Sequence, residues 1–247
     1  METHLYLDIE TIPAQRPDIL ADIRAAKQLE LDQAIAAVRA PGNYGAEAAA
    51  KWMTEKGAAQ IADLRAGFEA DVDEAYRKTS FDGAFGQICV IGWALNDDQP
   101  RTVHGLDERA VLRAFGESLD IPRSAHFSTC VIGHNVAAFD LRFLAQRHII
   151  NGIRPPFVIS KAAQAKPWEV EKVFDTMVQW SGVGSRISLD KLCKALGVPS
   201  PKGEIDGSKV WDAVQVGRLK DVADYCARDV DSVRQVHLRM TFQIAAA

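Results

Sequence analysis

The stretch that most constrains this chain is its first structured segment, Leu5-Tyr6-Leu7-Asp8-Ile9-Glu10-Thr11. Apolar Leu5, Leu7 and Ile9 alternate with Tyr6, Asp8 and Glu10, the period of a β-strand. Residues two apart on a strand share a face, so Asp8 and Glu10 project the same way. Two carboxylates on one face resist burial unless they are solvated, protonated or neutralised by a divalent cation. Taken alone, the segment equally describes an edge strand with two acids in water. Two remote stretches bear on that choice.

The first lies mid-chain. Thr129-Cys130-Val131-Ile132-Gly133 reads as a buried strand running into His134-Asn135 and then a helix over 138–150, with Phe139, Phe143, Leu144 and Ile149 on its core face. Asp140 falls in the first turn of that helix, where the helix dipole also favours an acid. The second is a long terminal helix from about Arg218 to Phe242. There Tyr225 and Asp229, four apart, share a face. That spacing is common by itself, and a tyrosine so placed is also an ordinary core aromatic.

Between these points the chain alternates strand and helix signals. Residues 14–79 are rich in Ala and charged residues at helical spacing, broken at Pro41-Gly42-Asn43-Tyr44-Gly45, with further helices near 46–56 and 58–78. This block reads as a helical insertion, either a cover for the sheet or a clamp on a partner. Residues 86–95 form a near-continuous apolar run, a strand buried on both faces. Arg101–His104 is a short return strand, and a helix over 107–119 follows, with Leu112 and Phe115 inward. Val173-Phe174-Asp175 begins another strand, and Met177-Val178 a helix. Ser188 is an N-cap for a helix ending near Gly197, and helical patterning resumes over 208–215.

At 247 residues the chain can bury a full core. Its 47% apolar and 25% charged residues are ordinary for a soluble protein. No apolar run approaches the roughly 20 residues of a membrane span, and the first residues lack the basic start and apolar centre of a leader, so a cytoplasmic location is expected. The four cysteines, Cys89, Cys130, Cys193 and Cys226, are scattered without paired spacing and read as buried free thiols rather than a zinc site. A net charge of −4 neither advertises nor excludes nucleic acid.

Taken together, Asp8-x-Glu10, Asn135-x-x-x-Phe139-Asp140 and Tyr225-x-x-x-Asp229 resemble the three motifs of the DEDD exonuclease superfamily, in the tyrosine (DEDDy) branch. The sister branch carries His five residues before the last Asp, and here that position is Asp224. The chain looks most similar to stand-alone bacterial and phage proteins akin to the proofreading domain of family-B DNA polymerases. Lys202-Gly203 with Asp206-Gly207-Ser208-Lys209-Val210 resembles a loop of that group.

The resemblance implies a ribonuclease H-like α/β fold: a central mixed sheet of about five strands flanked by helices. It spans 1–247 as one domain, with 14–79 inserted. The implied activity is a 3′–5′ exonuclease on DNA, single strands foremost, releasing nucleoside 5′-monophosphates. An exoribonuclease, or a silent nucleic-acid-binding module, is the alternative.

The chemistry is consistent, since clustered acids repel a phosphodiester unless cations intervene, and carboxylate oxygens suit magnesium or manganese. By resemblance, Asp8 bridges two ions, Glu10 and Asp229 complete the shell of one, and Asp140 holds the other. Tyr225 orients the attacking water. Asn135, Phe139 and Thr11 would contact substrate, although Phe139 is equally a core residue. Asp175, Asp206 and Asp231 read as structural acids, and His134 as a hydrogen-bonded residue at a strand end. Tyr6 could be site or core. Lys202 and Lys209 read as solvated loop charges.

Overall fold

The computed structural model describes residues 3–200 and 203–245. Two compact units divide the chain: Met1–Ile12 with Asp82–Ala247, and Pro13–Phe81.

In the first unit, β1 (Thr3–Ile12), β2 (Gln87–Leu95), β3 (Arg101–His104), β4 (Thr129–Gly133) and β5 (Val173–Asp175) form one mixed sheet among the described residues, in the order β3-β2-β1-β4-β5. β1 is therefore the middle strand, antiparallel to β2 and parallel to β4. That removes the edge-strand reading of Asp8 and Glu10.

The alternation of β1 sends its two sets of side chains into two different cores. Leu5, Leu7 and Ile9 pack with Ile91, Trp93 and Val131 against Leu112, Phe115, Phe143 and Leu144. Those partners come from α4 (Glu108–Ser118) and α5 (Asp140–Asn151), and α6 (Phe157–Ala162) completes the layer with Val158 and Ile159. Tyr6 lies on the other face with Ala94, Ile132, Val230 and Val233, under α10 (Leu219–Met240). It is 1% exposed, with its hydroxyl 3.0 Å from His237 Nδ1, so it belongs to the core and not to the site.

On that second face, α9 (Val210–Gln215) joins α10 in packing over Ile12, Cys89 and Val90. α8 (Leu189–Leu196), capped by Ser188 Oγ accepting from Lys191 N, packs on α10 through Leu192, Cys193 and Val236. A short α7 (Thr176–Ser181) leaves β5. The result is a three-layer arrangement with the sheet in the middle.

Two expectations need correction. The helix expected over 138–150 begins at Asp140, and its buried residues are Leu141, Phe143, Leu144, Arg147 and His148. Ile149 is 78% exposed, so it is not on the core face. Arg147 takes the inward position because its guanidinium closes on Glu108 at 2.7 Å. That carboxylate also accepts from Ile88 N and Asn151 Nδ2, so both charges are fully hydrogen-bonded inside.

In the second unit, α1 (Pro17–Ala37) and α3 (Ala58–Lys78) pack antiparallel, with Ala14 N on Thr79 Oγ1 at one end and Arg24 on Glu69 further along. α2 (Ala46–Trp52) does not stop before α3. A π-helical turn, Met53–Gly57, joins them into continuous helix, where a break near residue 57 was expected. No helix of the described residues is long and apolar enough to cross a membrane.

Candidate active site

The expected site residues converge because of how β1 ends. Its pairing with β4 stops at Tyr6↔Ile132, while its pairing with β2 continues to Ile12. Beyond Tyr6 the β4 side of β1 has no strand partner, and its N–H groups need other acceptors. Asp140 supplies one: its Oδ1 accepts from Ile9 N at 3.0 Å, between Asp8 and Glu10. Asp140 is 4% exposed.

The loop that delivers Asp140 is itself held by an acid. Asp175 takes Asn135 N and Ala137 N at 3.0 and 3.1 Å, and also caps α7 through Met177 N and Val178 N. Its structural reading therefore stands. Gly133, where the loop leaves β4, has no room for a side chain: a Cβ would lie 2.4 Å from Val136 and 3.0 Å from the Leu7 carbonyl. His134 spans from Thr176 Oγ1 to the Ile187 carbonyl, and burial lowers its pKa, which fits a hydrogen-bonded strand-end residue and not a base.

On the other side, α10 lies close over β1 and β2. Gly92, the register partner of Asp8, permits this: a Cβ there would meet Cys226 Sγ at 2.7 Å. The close approach brings Cys226 Sγ within 3.2 Å of Asp8 Oδ2, and Tyr225 hydrogen-bonds Asp229 one turn along.

The electrostatics record one cluster. Burial, then Asp229, Glu10 and Asp140, push the Asp8 carboxyl well up, and burial with Asp229 and Asp140 does the same to Glu10. Burial raises Asp140 to about 7, with Asp175 and Asp229 adding to the shift and the Ile9 N–H opposing it. Burial raises Asp229 to about 6, against the Tyr225 hydrogen bond and Arg228. The Tyr225 hydroxyl is pushed up by burial and by Asp229 and Glu10, so it keeps its proton at neutral pH.

This donor set fits a hard divalent cation. One ligand atom each from Asp8, Glu10 and Cys226 lie within 4.8 Å of one another. Asp229 Oδ1 is buried without a hydrogen-bond partner, an acceptor left for a ligand. Cys226 stays a protonated thiol: burial and Asp8 raise its pKa well up, and it donates to Asp8. The carboxylate oxygens of the cluster are of the kind that suits magnesium or manganese.

The expected substrate residues are less uniform. Asn135 has φ 63°, a left-handed turn that asparagine tolerates, at the start of the loop to Asp140. Phe139 precedes α5, half-buried, with its ring 5.5 Å from Phe143, so it is at least in part core. Thr11 follows a β-bulge after Glu10 that breaks the alternation of the strand. Lys209 reaches the Glu204 carbonyl and Asp206 from an exposed turn, while Lys202 lies outside the described residues. Asp206 caps that turn through Ser208 N, and Asp231 pairs with Arg234, as structural acids do. All four cysteines are buried thiols outside any disulfide. Two residues of the site were not foreseen in their roles, Cys226 as a donor to Asp8 and Gly92 as the opening for α10. The position of Cys226 beside Tyr225 was the available signal for the first.

A family model described as "predicted 3′–5′ exonuclease related to the exonuclease domain of PolB" matches residues 85–245, well over half of the chain. No curated protein matches. Among solved structures, the family B DNA polymerase from the hyperthermophilic archaeon Pyrobaculum calidifontis is similar, with a TM-score of 0.55 and 15% identity. The likeness covers 98% of this chain and 25% of the polymerase, so the chain spans about a quarter of that protein's length. At that identity the likeness is one of fold, and the fold is the ribonuclease H-like one expected.

Proposed function

The chain belongs to the family of predicted 3′–5′ exonucleases related to the exonuclease domain of PolB, and from that membership we propose that it removes nucleotides from the 3′ end of single-stranded DNA with two divalent ions. The observation that carries this reading is the convergence of Asp8, Glu10, Asp140 and Asp229, each with its carboxyl pKa raised. β1 lies outside the span of the family match, yet it contributes two of these four acids.

Asp8, Glu10, Asp140 and Asp229 would hold the metal through their carboxylates. Asp8, the least buried of the four, lies nearest to solvent, where an incoming ion would meet it first. When bound, magnesium or manganese neutralises the acids for an incoming phosphodiester, acidifies the attacking water and stabilises the leaving 3′ oxygen.

The remaining work falls to the side chains. Tyr225, protonated and oriented by Asp229, holds the water in line with phosphorus through its hydroxyl. It acts by placement and not by proton removal. Asp140 ties its loop to β1 through Ile9 N, which fixes the spacing between its own carboxylate and the pair on the strand. The thiol of Cys226 restrains Asp8. Asn135 and Phe139, on the same loop, would contact the substrate strand next to the cluster, as the resemblance of their motif implies.

The test is digestion of a labelled single-stranded DNA oligonucleotide with magnesium or manganese, against a chelator control and an RNA oligonucleotide of the same sequence. Release of nucleoside 5′-monophosphate from the 3′ end, lost on chelation, is the expected result. Metal-independent cleavage, or cleavage from the 5′ end, would overturn the proposal. Faster digestion of RNA would move the substrate to RNA within the same mechanism.

A further inference from the structure

An open cavity of about 390 Å³ adjoins the loop that carries Asp140, in the size range of ligand pockets. Its walls include Asn135, Arg142, Lys166, Asp175, Gln179 and Arg186, over a floor of alanines with Met177 and Val178. Its charge differs from that of the rest of the molecule. The chain carries a net −4, whereas this cavity gathers three cations and one carboxylate.

That carboxylate, Asp175, is 3% exposed and turned onto main-chain N–H groups. Arg142, Lys166 and Arg186 are exposed and take part in no side-chain ion pair among the described residues. Other surface cations divide: Arg16, Arg24, Lys27, Arg77, Lys194, Arg218 and Lys220 each sit on a carboxylate, whereas Arg39, Arg65, Arg113 and Arg154 form no ion pair among the described residues, so what distinguishes this place is three such cations around one cavity. Lys166 Nζ, in the cavity wall, lies 5.4 Å from the ring of Trp168, which is 72% exposed and follows the lining residue Pro167. An exposed aromatic beside unpaired cations suits a base stacked over a phosphate chain.

We propose that this cavity binds the DNA strand on the 5′ side of the cleaved linkage, with Arg142, Lys166 and Arg186 on its phosphates and Trp168 against a base. The proposal rests on the exonuclease reading. An enzyme that works from the 3′ end keeps only the terminal nucleotide at its acids, so an adjoining site can take only nucleotides on the 5′ side. The loop from Asn135 to Asp140 is the physical link, with one end in the cavity wall and the other at the cluster. Cations next to an acidic centre also offset its repulsion of the incoming strand.

The test compares wild type with the triple variant Arg142→Ala/Lys166→Ala/Arg186→Ala, and with Arg142→Lys/Arg186→Lys. Binding of a fluorescent single-stranded 12-mer is read by anisotropy in chelator across a salt series. Losing three phosphate contacts lowers the slope of log K against log salt by about 2, at about 0.7 per contact on a single strand, and weakens binding at least about tenfold. The lysine variant keeps the slope, because it keeps the charge.

Turnover of the p-nitrophenyl ester of thymidine 5′-monophosphate, which has no nucleotide on the 5′ side, stays within about threefold of wild type in the triple variant, while KM for the 12-mer rises. An unchanged slope and affinity in the triple variant, or equal loss in the lysine variant, overturns the proposal. So does a wild type that does not bind the 12-mer. If wild type binds the 12-mer but hydrolyses neither substrate with metal, the exonuclease reading fails, and the slope still decides the cavity.

Discussion

Replacing Asp229 with asparagine should abolish catalysis and at the same time stabilise the metal-free fold. In the folded chain burial raises the Asp229 carboxyl from an ordinary 3.8 to about 6. At 1.36 kcal/mol for each tenfold difference in proton affinity, holding it ionised in the fold costs about 3 kcal/mol. The sign is opposite to that of a salt-bridged acid. Between pH 4 and 6 the folded state binds the proton more tightly than the unfolded state does, so stability falls as pH rises. Above about 6 the full cost is present, and below about 4 it is gone. Asp140, at about 7, titrates in the same cluster, so the decline extends toward pH 7 and belongs to the group.

The amide of Asp229→Asn removes the charge while keeping an acceptor for Tyr225. In metal-stripped protein at pH 8, urea unfolding should show the variant more stable by about 2 to 3 kcal/mol, or about 5 to 10 °C in Tm. At pH 4 the two proteins should coincide. Saturating manganese should reverse the order, because only wild type gains the linkage energy of bound metal. If the variant is no more stable than wild type at pH 8 without metal, or the difference grows toward pH 4, the reasoning is refuted.

Three further outcomes are expected. Asp8→Ala should reduce cleavage of a 3′-labelled oligonucleotide by at least about a thousandfold without lowering the Tm of the metal-free protein; a collapsed fold would make Asp8 a structural residue. Tyr225→Phe should lower kcat by about ten- to a hundredfold while KM changes less than about threefold, since only the placement of water suffers; full turnover would remove the hydroxyl from the mechanism. Asp175→Ala leaves buried N–H groups of the Asn135 loop and α7 without an acceptor, at about 1 to 3 kcal/mol in urea unfolding, and should also weaken metal binding by calorimetry. A stability loss with unchanged metal affinity would separate Asp175 from the site.

Much of the fold was legible because its signals are local. The apolar runs at 86–95 and 129–133 became β2 and β4, and Ser188 and Gly197 bound α8 as expected. Reading failed where a distant partner decided the outcome. Ile149 looked like a core residue by spacing, but Arg147 took the inward face because Glu108, 39 residues earlier, waits there. The helix around residue 57 looked interrupted by Gly57, yet the π-turn carries it through. Tyr6 shared a face with Asp8 and Glu10, and only the packing of α10 assigned it to the core beside His237.

The sequence by itself determined the spacing within each motif. Asp8 and Glu10 share a face because a strand repeats every two residues, and Tyr225 and Asp229 share one because a helix repeats near every four. Only the tertiary structure decided that these faces meet. That required β1 in the middle of the sheet, β4 ending early enough for Asp140 to reach Ile9 N, and a glycine at position 92 so that α10 could close on Asp8. The reason is physical: backbone geometry sets distances within an element, while strand order and the space left by small residues set the distances between elements.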